Sequence, residues 1–399
     1  MRYASVTERL ADLGSDKWAV HFAARERAAK GEEIVELSIG SPDMPTDPAL
    51  IAECTRAMKA GRTGYASGRG EPALLDAIAS QYSRRSGRGI TRENVLAFPG
   101  AQTALFATMA GLVEAGDEVL VGDPLYAAYD GVILASGANK ISIPLKAEHG
   151  FRVQAADIEA AITPRTRALL LNTPHNPTGA TLSRADLAAI GEVCVKHDLW
   201  IISDEVYEQF VFDGEFASPF DDPDLAERTV AISSISKSHA ASGFRSGWAV
   251  GPAEFCRRVL PISEMMLFGS QPFIADMTAY ALTHEIDTAR QLRAACARRV
   301  QIICDILGDV PGLVPQRPRA GMHILVDISG TGVTCEEFAW GLLDTEKVSV
   351  MPGSSFGEAA NGFIRVSLTA ADEKITEASH RIARFAARLM ARQAESALA

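Results

Sequence analysis

The stretch Ser234-Ile235-Ser236-Lys237-Ser238-His239-Ala240-Ala241-Ser242-Gly243-Phe244-Arg245-Ser246-Gly247-Trp248 lies between two apolar runs, Thr229 to Ser233 and Gly247 to Val250, that read as buried strands. Turns at strand ends favour Gly, Asn and Asp. A lysine directly after a strand, inside a Ser-rich turn, is therefore unusual. Its amine can form a Schiff base with an aldehyde, and desolvation beside another cation lowers its pKa towards that task. Arg245 offers a planar fork suited to a phosphate. Ser234 and Ser236 offer hydroxyl donors to the same group. Taken alone, a lysine and an arginine eight residues apart are more often surface charges.

Reading outward, Val95 to Phe98 is strand-like and ends at Pro99-Gly100, after which Ala101 to Val113 reads as a helix. Glu118 to Val121, Ala168 to Leu171 and Leu199 to Ser203 are further apolar runs. Continuous apolar strands separated by helices predict an α/β fold with a mixed, mostly parallel sheet covered on both faces. After Leu282 the texture changes. A charged helix, Ile286 to Leu307, leads to strands at Met322 to Asp327, Val348 to Met351 and Phe363 to Leu368, and the chain closes with an amphipathic helix over Asp372 to Arg392. A chain of 399 residues exceeds one simple core. We expect a large α/β domain over 45–285 and a small α+β domain built from both chain ends, 1–44 and 286–399.

Composition excludes several function classes. The net charge of -11 argues against a nucleic-acid surface. The pairs Arg84-Arg85 and Arg298-Arg299 read as solvated helix faces. The six cysteines are scattered without a C-x-x-C, which speaks against a zinc site or redox pair, and no metal is expected. They read as buried thiols in a reducing cytoplasm. No apolar run approaches membrane-spanning length, and the charged N-terminus lacks an apolar signal core.

In open α/β sheets ligands bind beyond the carboxyl ends of the strands. Gly100-Ala101-Gln102 sits at one such end and opens a helix, whose free N–H groups suit a phosphate. Asp123-Pro124-Leu125-Tyr126, Asn172 to Gly179 and Asp204 to Tyr207 sit at others. For Asp204 a helix N-cap and a chemical role fit equally by position.

The run S-x-S-K-x-x-x-x-x-G-x-R-x-G resembles the attachment motif of class I/II aminotransferases, which depend on pyridoxal 5′-phosphate (PLP) and have fold type I. The likeness spans essentially the whole chain, from Leu37 to Arg365 and beyond. It implies that Lys237 holds PLP as a Schiff base and then shuttles the substrate proton. Asp204-Glu205-Val206-Tyr207 resembles the family's D-x-x-Y. It implies that Asp204 pairs with the pyridine nitrogen, that Tyr207 bonds the ring oxygen, and that Glu205 faces away. Asn172-Thr173-Pro174-His175-Asn176-Pro177-Thr178-Gly179 resembles N-x-P-x-N-P-T-G, with Asn176 near both the ring oxygen and the substrate carboxylate and His175 outside the chemistry.

The same resemblance assigns Gly100, Ala101 and Gln102, with Ser234, Ser236 and Arg245, to the phosphate. Tyr126 matches the aromatic that stacks on the ring, whereas Tyr129 reads as packing. Gly40 matches the backbone that approaches the substrate carboxylate, and Arg365 the arginine that grips it, although a strand arginine also serves as a plain salt-bridge partner. Tyr65 matches a tyrosine that reaches the neighbouring subunit's phosphate, which implies a homodimer with shared active sites. Trp18 reads either as a lid or as a core anchor. The loop Met266 to Phe273 suggests a partly apolar substrate pocket.

The expected activity is ping-pong transfer of an amino group from an L-amino acid to a 2-oxo acid, within amino-acid metabolism. Stretches such as Gly150 to Ala155 and His197 to Trp200 resemble arginine–pyruvate aminotransferases. A C–S β-lyase or decarboxylase of the same fold shares these motifs. A non-catalytic regulator would need a DNA-binding segment ahead of Leu37, where too few residues precede it.

Overall fold

The computed structural model describes residues 1–11, 13 and 16–398. Its centre is a seven-stranded sheet. In chain order the strands are β1 (Val95–Phe98), β2 (Glu118–Asp123), β3 (Asn139–Pro144), β4 (Thr166–Asn172), β5 (Trp200–Asp204), β6 (Thr229–Ser234) and β7 (Gly247–Val250). Their spatial order is β1-β7-β6-β5-β4-β2-β3. The pairs from β3 across to β6 are parallel, whereas β7 runs antiparallel to both β6 and β1. Only β7 is reversed.

The strands form where the sequence is continuously apolar. Every residue of β1, β6 and β7 is buried, as a sheet covered on both faces requires. The expected positions of these strands hold to within two residues. The strand β3 was not anticipated: Asn-Lys-Ile-Ser-Ile-Pro lies at the sheet edge, with only Ile143 buried, so it carries little apolar signal.

A second sheet is antiparallel, with β8 (Val314–Gln316), β9 (His323–Asp327), β10 (Met351–Pro352) and β11 (Phe363–Ser367) in the order β10-β11-β9-β8. One face of β9 and β11, carrying Met322, Ile324, Val326, Ile364 and Val366, packs into a core with Val20, Ala24, Leu37, Leu292 and Ile382. Segments from both ends of the chain therefore share one apolar core. Each buried aliphatic side chain contributes about 1.5–3 kcal/mol there.

The basic pairs depart from expectation. Arg85 is surrounded by Glu205, Glu208 and Asp221 at 2.6–3.0 Å. Arg85 is half-buried, and the buried Arg299 joins Asp43 and Asp372. Neighbouring helix residues point about 100° apart, so one arginine of each pair turns inward. Five of the six free cysteines are buried, and Cys304 is half-buried. No helix among the described residues is long and apolar enough to cross a membrane.

Candidate active site

A cavity of about 220 Å³ opens at the carboxyl edge of the large sheet, facing the second sheet. It is lined by residues that follow successive strands: Ala101 and Gln102 after β1, Tyr126 after β2, Asn176 after β4, Asp204 and Tyr207 at β5, Ser234, Ser236 and Lys237 at β6. Because β7 is reversed, its amino end meets the same edge, and Arg245 joins the lining two residues ahead of it. Gly40 and Arg365 close the far side. Every expected site residue thus lines the cavity or, like Gly100, adjoins it, with one exception. Tyr65 is 90% exposed and packs edge-on against Phe268, away from this chain's own cavity.

Lys237 lies on a single helical turn, Ile235–Ser238, rather than in a loop, and the Ser234 hydroxyl caps that turn by accepting from the Ser236 amide at 3.3 Å. Its Nζ donates to the Gly40 carbonyl at 2.8 Å. Burial, reinforced by the charge of Arg365, pushes the amine down to about 8. Burial alone would strip such an amine of its proton far more readily than water does.

Asp204 is buried at the end of β5. Burial pushes its carboxyl up to about 6, against the hydrogen bonds from Tyr129 and the Val206 amide. Tyr129, expected only to pack, donates its hydroxyl to Asp204 Oδ2 at 2.7 Å, and its ring meets Tyr126 edge-on. Its place on the helical turn just after Tyr126 was the signal available in the sequence. Glu205 points the other way, bonded to Ser218 and paired with Arg85.

Arg365 is fully buried. Its guanidinium donates to the Ser38 carbonyl at 2.6 Å and to Asn176 Oδ1 at 3.2 Å, and it lies over the Phe356 ring. Among the described residues its Nε has no partner and no carboxylate pairs with it. Burial lowers it to about 10. The plain salt-bridge reading of this arginine therefore fails. A buried, unpaired guanidinium is costly unless an anion completes it.

The Arg245 corner is a second anion cradle. Arg245 adopts a left-handed backbone (φ 53°) and donates to the Ser242 carbonyl. Gly100 has φ 91° and caps the helix α1 (Ala101–Leu112). A Cβ on Gly100 would overlap the Arg245 guanidinium, and one on Gly247 would meet the Ala101 amide. The two glycines thus leave the first amides of α1 and the Arg245 fork facing the same space. Amides at a helix start and a guanidinium suit a phosphate.

Two further lining residues matter. Trp18 is half-buried at the cavity wall, while Lys17 beside it pairs with Asp130 at 2.5 Å and accepts from Ser355 through its carbonyl. His323 also lines the cavity and was not singled out from the sequence, although a lone polar residue in the apolar run Met322 to Val326 was a visible signal. His175 is buried, bonded to Thr178 and lowered to about 4 by burial.

Residues 32–382 match the model of the family "Aminotransferase class I and II". The chain is 45% identical over 390 residues, covering 98% of it and 99% of its relative, to the arginine–pyruvate transaminase AruH of Pseudomonas aeruginosa. It is 34% identical to the aspartate/prephenate aminotransferase of Cereibacter sphaeroides, over 93% of this chain and 96% of that one. The solved aspartate aminotransferase of Rhizobium meliloti superposes with a TM-score of 0.92 at 29% identity, covering 97% and 99% of the two chains.

The chain belongs to the class I and II aminotransferase family. It is a fold type I, PLP-dependent transaminase. The cavity fits that cofactor: a cradle that a Cβ would fill, an unpaired guanidinium and a desolvated amine supply sites for a phosphate, a carboxylate and an aldehyde.

Proposed function

We propose that the enzyme transfers the amino group of L-arginine to pyruvate, working as a homodimer in a reducing cytoplasm. The likeness to the Pseudomonas transaminase over nearly the full length of both chains supports the donor and acceptor. The cavity lining adds a second argument. Among the described residues Asp204 is its one acidic side chain, and it is occupied by Tyr129. A guanidinium side chain would meet the Trp18 indole instead, a face that attracts cations.

PLP supplies a carrier for the amino group and an electron sink for the carbon that loses its proton. In this reading Gly100, Ala101, Gln102, Ser234, Ser236 and Arg245 hold the phosphate. Tyr126 covers one ring face, and Asp204 keeps the ring nitrogen protonated. Tyr207 and Asn176 bond the ring oxygen. Arg365, aided by Asn176 and the Gly40 backbone, orients the substrate by its carboxylate. Lys237, with its amine at about 8, takes the α-proton near neutral pH and returns it. Domains over 45–285 and over 1–44 with 286–399 accompany this reading.

The observation that carries the roles is the pairing of a desolvated Lys237 with an Arg365 that has no carboxylate partner among the described residues. The exposed Tyr65, Met265, Met266 and Phe268 support a partner subunit at that face. An exposed apolar cluster of this kind marks an interface. The deciding experiment mixes PLP-loaded protein with single amino acids and assays the released oxo acid, with Lys237→Ala as control. Stoichiometric 2-oxo acid from arginine supports the reading. Release from other amino acids but not from arginine removes the donor. Release of ammonia, carbon dioxide or thiol removes the transfer.

A further inference from the structure

His323 lies on β9, and β9 pairs with β11 so that Leu325 faces Arg365 and His323 faces Ser367. In an antiparallel pair, directly opposed residues point to the same side. His323, Leu325, Arg365 and Ser367 therefore share one face, and His323 is the diagonal neighbour of Arg365. Diagonal neighbours come within reach of long and aromatic side chains. The opposite face, with Met322 and Ile324, enters the apolar core.

The imidazole is 3% exposed, yet it lines the cavity. Its Nε2 edge lies against Gly40, where a Cβ would overlap it, and its ring meets Tyr207 edge-on. Gly40 is the residue whose carbonyl holds Lys237. Among the described residues neither ring nitrogen of His323 has a hydrogen-bond partner. An imidazole that spends neither its donor nor its acceptor within the fold leaves both to the cavity, where a ligand can complete them.

We propose that the His323 imidazole donates a hydrogen bond to the substrate carboxylate that Arg365 holds, and so is a binding residue for every amino acid and oxo acid the enzyme takes. The inference rests on the Arg365 reading above. It differs from a side-chain selector because its place is beside the arginine, on the same sheet face, and next to the Gly40 backbone. An apolar residue there would leave the carboxylate with the guanidinium, Asn176 and the Gly40 backbone alone.

The test uses holoenzyme and two half-substrate probes, propionate (a carboxylate without an amine) and butylamine (an amine without a carboxylate). Each is scored by its inhibition constant against the amino donor and by the shift it causes in cofactor absorbance. His323→Phe should weaken propionate about tenfold, the order expected for one hydrogen bond to a charge, and leave butylamine unchanged. His323→Gln, which keeps a donor, should stay within about threefold of wild type. His323→Leu is read in parallel in case the phenylalanine variant does not fold. Unchanged propionate binding in the apolar variants overturns the proposal. So does equal weakening of both probes, or a loss that varies with the donor's side chain. Propionate binding needs no turnover, so its outcome is separate from whether an amino group is transferred.

Discussion

The hydroxyl of Tyr129 donates to Asp204 Oδ2 at 2.7 Å inside a wholly buried pair. That bond favours the charged carboxylate, whereas burial opposes it and pushes the group up to about 6. Without Tyr129 the carboxyl rises further. Asp204 would then take up its proton, and lose its hold on a cationic ring nitrogen, at a higher pH. Tyr129→Phe should shift the acid limb of PLP affinity upward by about one pH unit, since a bond to a charged group contributes about 1.5–3 kcal/mol at most. Cofactor titration across pH 5–8 measures this, and an unmoved limb would show that Tyr129 only packs.

Lys237 is held down at about 8 by burial and by Arg365, against an unfolded value near 10.4. A lysine with a lowered folded value costs stability while both states are protonated. The cost fades as pH rises from about 8 to the unfolded value. Apoenzyme carrying Lys237→Met should therefore be more stable than wild type at pH 7, by about 1–3 kcal/mol. The difference should shrink above pH 8, as read by denaturant unfolding of the two apo forms.

Gly247 begins β7 against the Gly100–Ala101 backbone, where a Cβ would collide. Gly247→Ala must push the start of α1 aside, and such overpacking costs about 1–3 kcal/mol. The amides of Ala101 and Gln102 move with it. The variant should bind PLP at least tenfold more weakly and also bind inorganic phosphate more weakly. Calorimetric titration distinguishes this from mere loss of stability if phosphate and PLP weaken together.

Glu205 shares Arg85 with Glu208 and Asp221. Burial pushes it up to about 7. A carboxyl raised in the folded state contributes stability that is full below its unfolded value and is lost as pH rises through the folded one. Stability of the wild type should thus fall between about pH 4.5 and 7 through this group. Glu205→Gln should flatten that fall, leaving Arg85 its two other carboxylates. Melting curves of the two proteins over pH 5–8 that remain parallel would refute the assignment.

The strands most legible in the sequence were those with no polar residue to interrupt them. Val95 to Phe98 and Gly247 to Val250 are buried on both faces and bounded by glycine, so pattern and structure agree. Asn139 to Pro144 has a neighbour on one side only and is mostly open to water, so nothing in its composition demanded a strand. The half-buried Arg85 and buried Arg299 escaped because adjacent basic residues suggest a solvated face, and helix geometry separates them. In the site, Lys237, Asp204 and Asn176 were legible because each follows a strand end. His323 opens a strand of the second sheet and Tyr129 lies in the first turn of a helix, so their exposure to the cavity depends on the pairing of β9 with β11 and on the packing of Tyr129 against Asp204.

The reversal of β7 makes the sheet itself a ruler. The chain leaves β6 and re-enters β7 at a single edge, and both strands are anchored by their ladder from Ala231–Val250 to Ser234–Gly247. The backbone points from which Lys237 and Arg245 depart are thereby held one strand apart, about 4.8 Å in the sheet. The Ser242 carbonyl then fixes the Arg245 fork from within the connecting segment, whereas a slip of one residue in that ladder would displace Arg245 relative to Lys237 and turn each side chain of β7 to the opposite face.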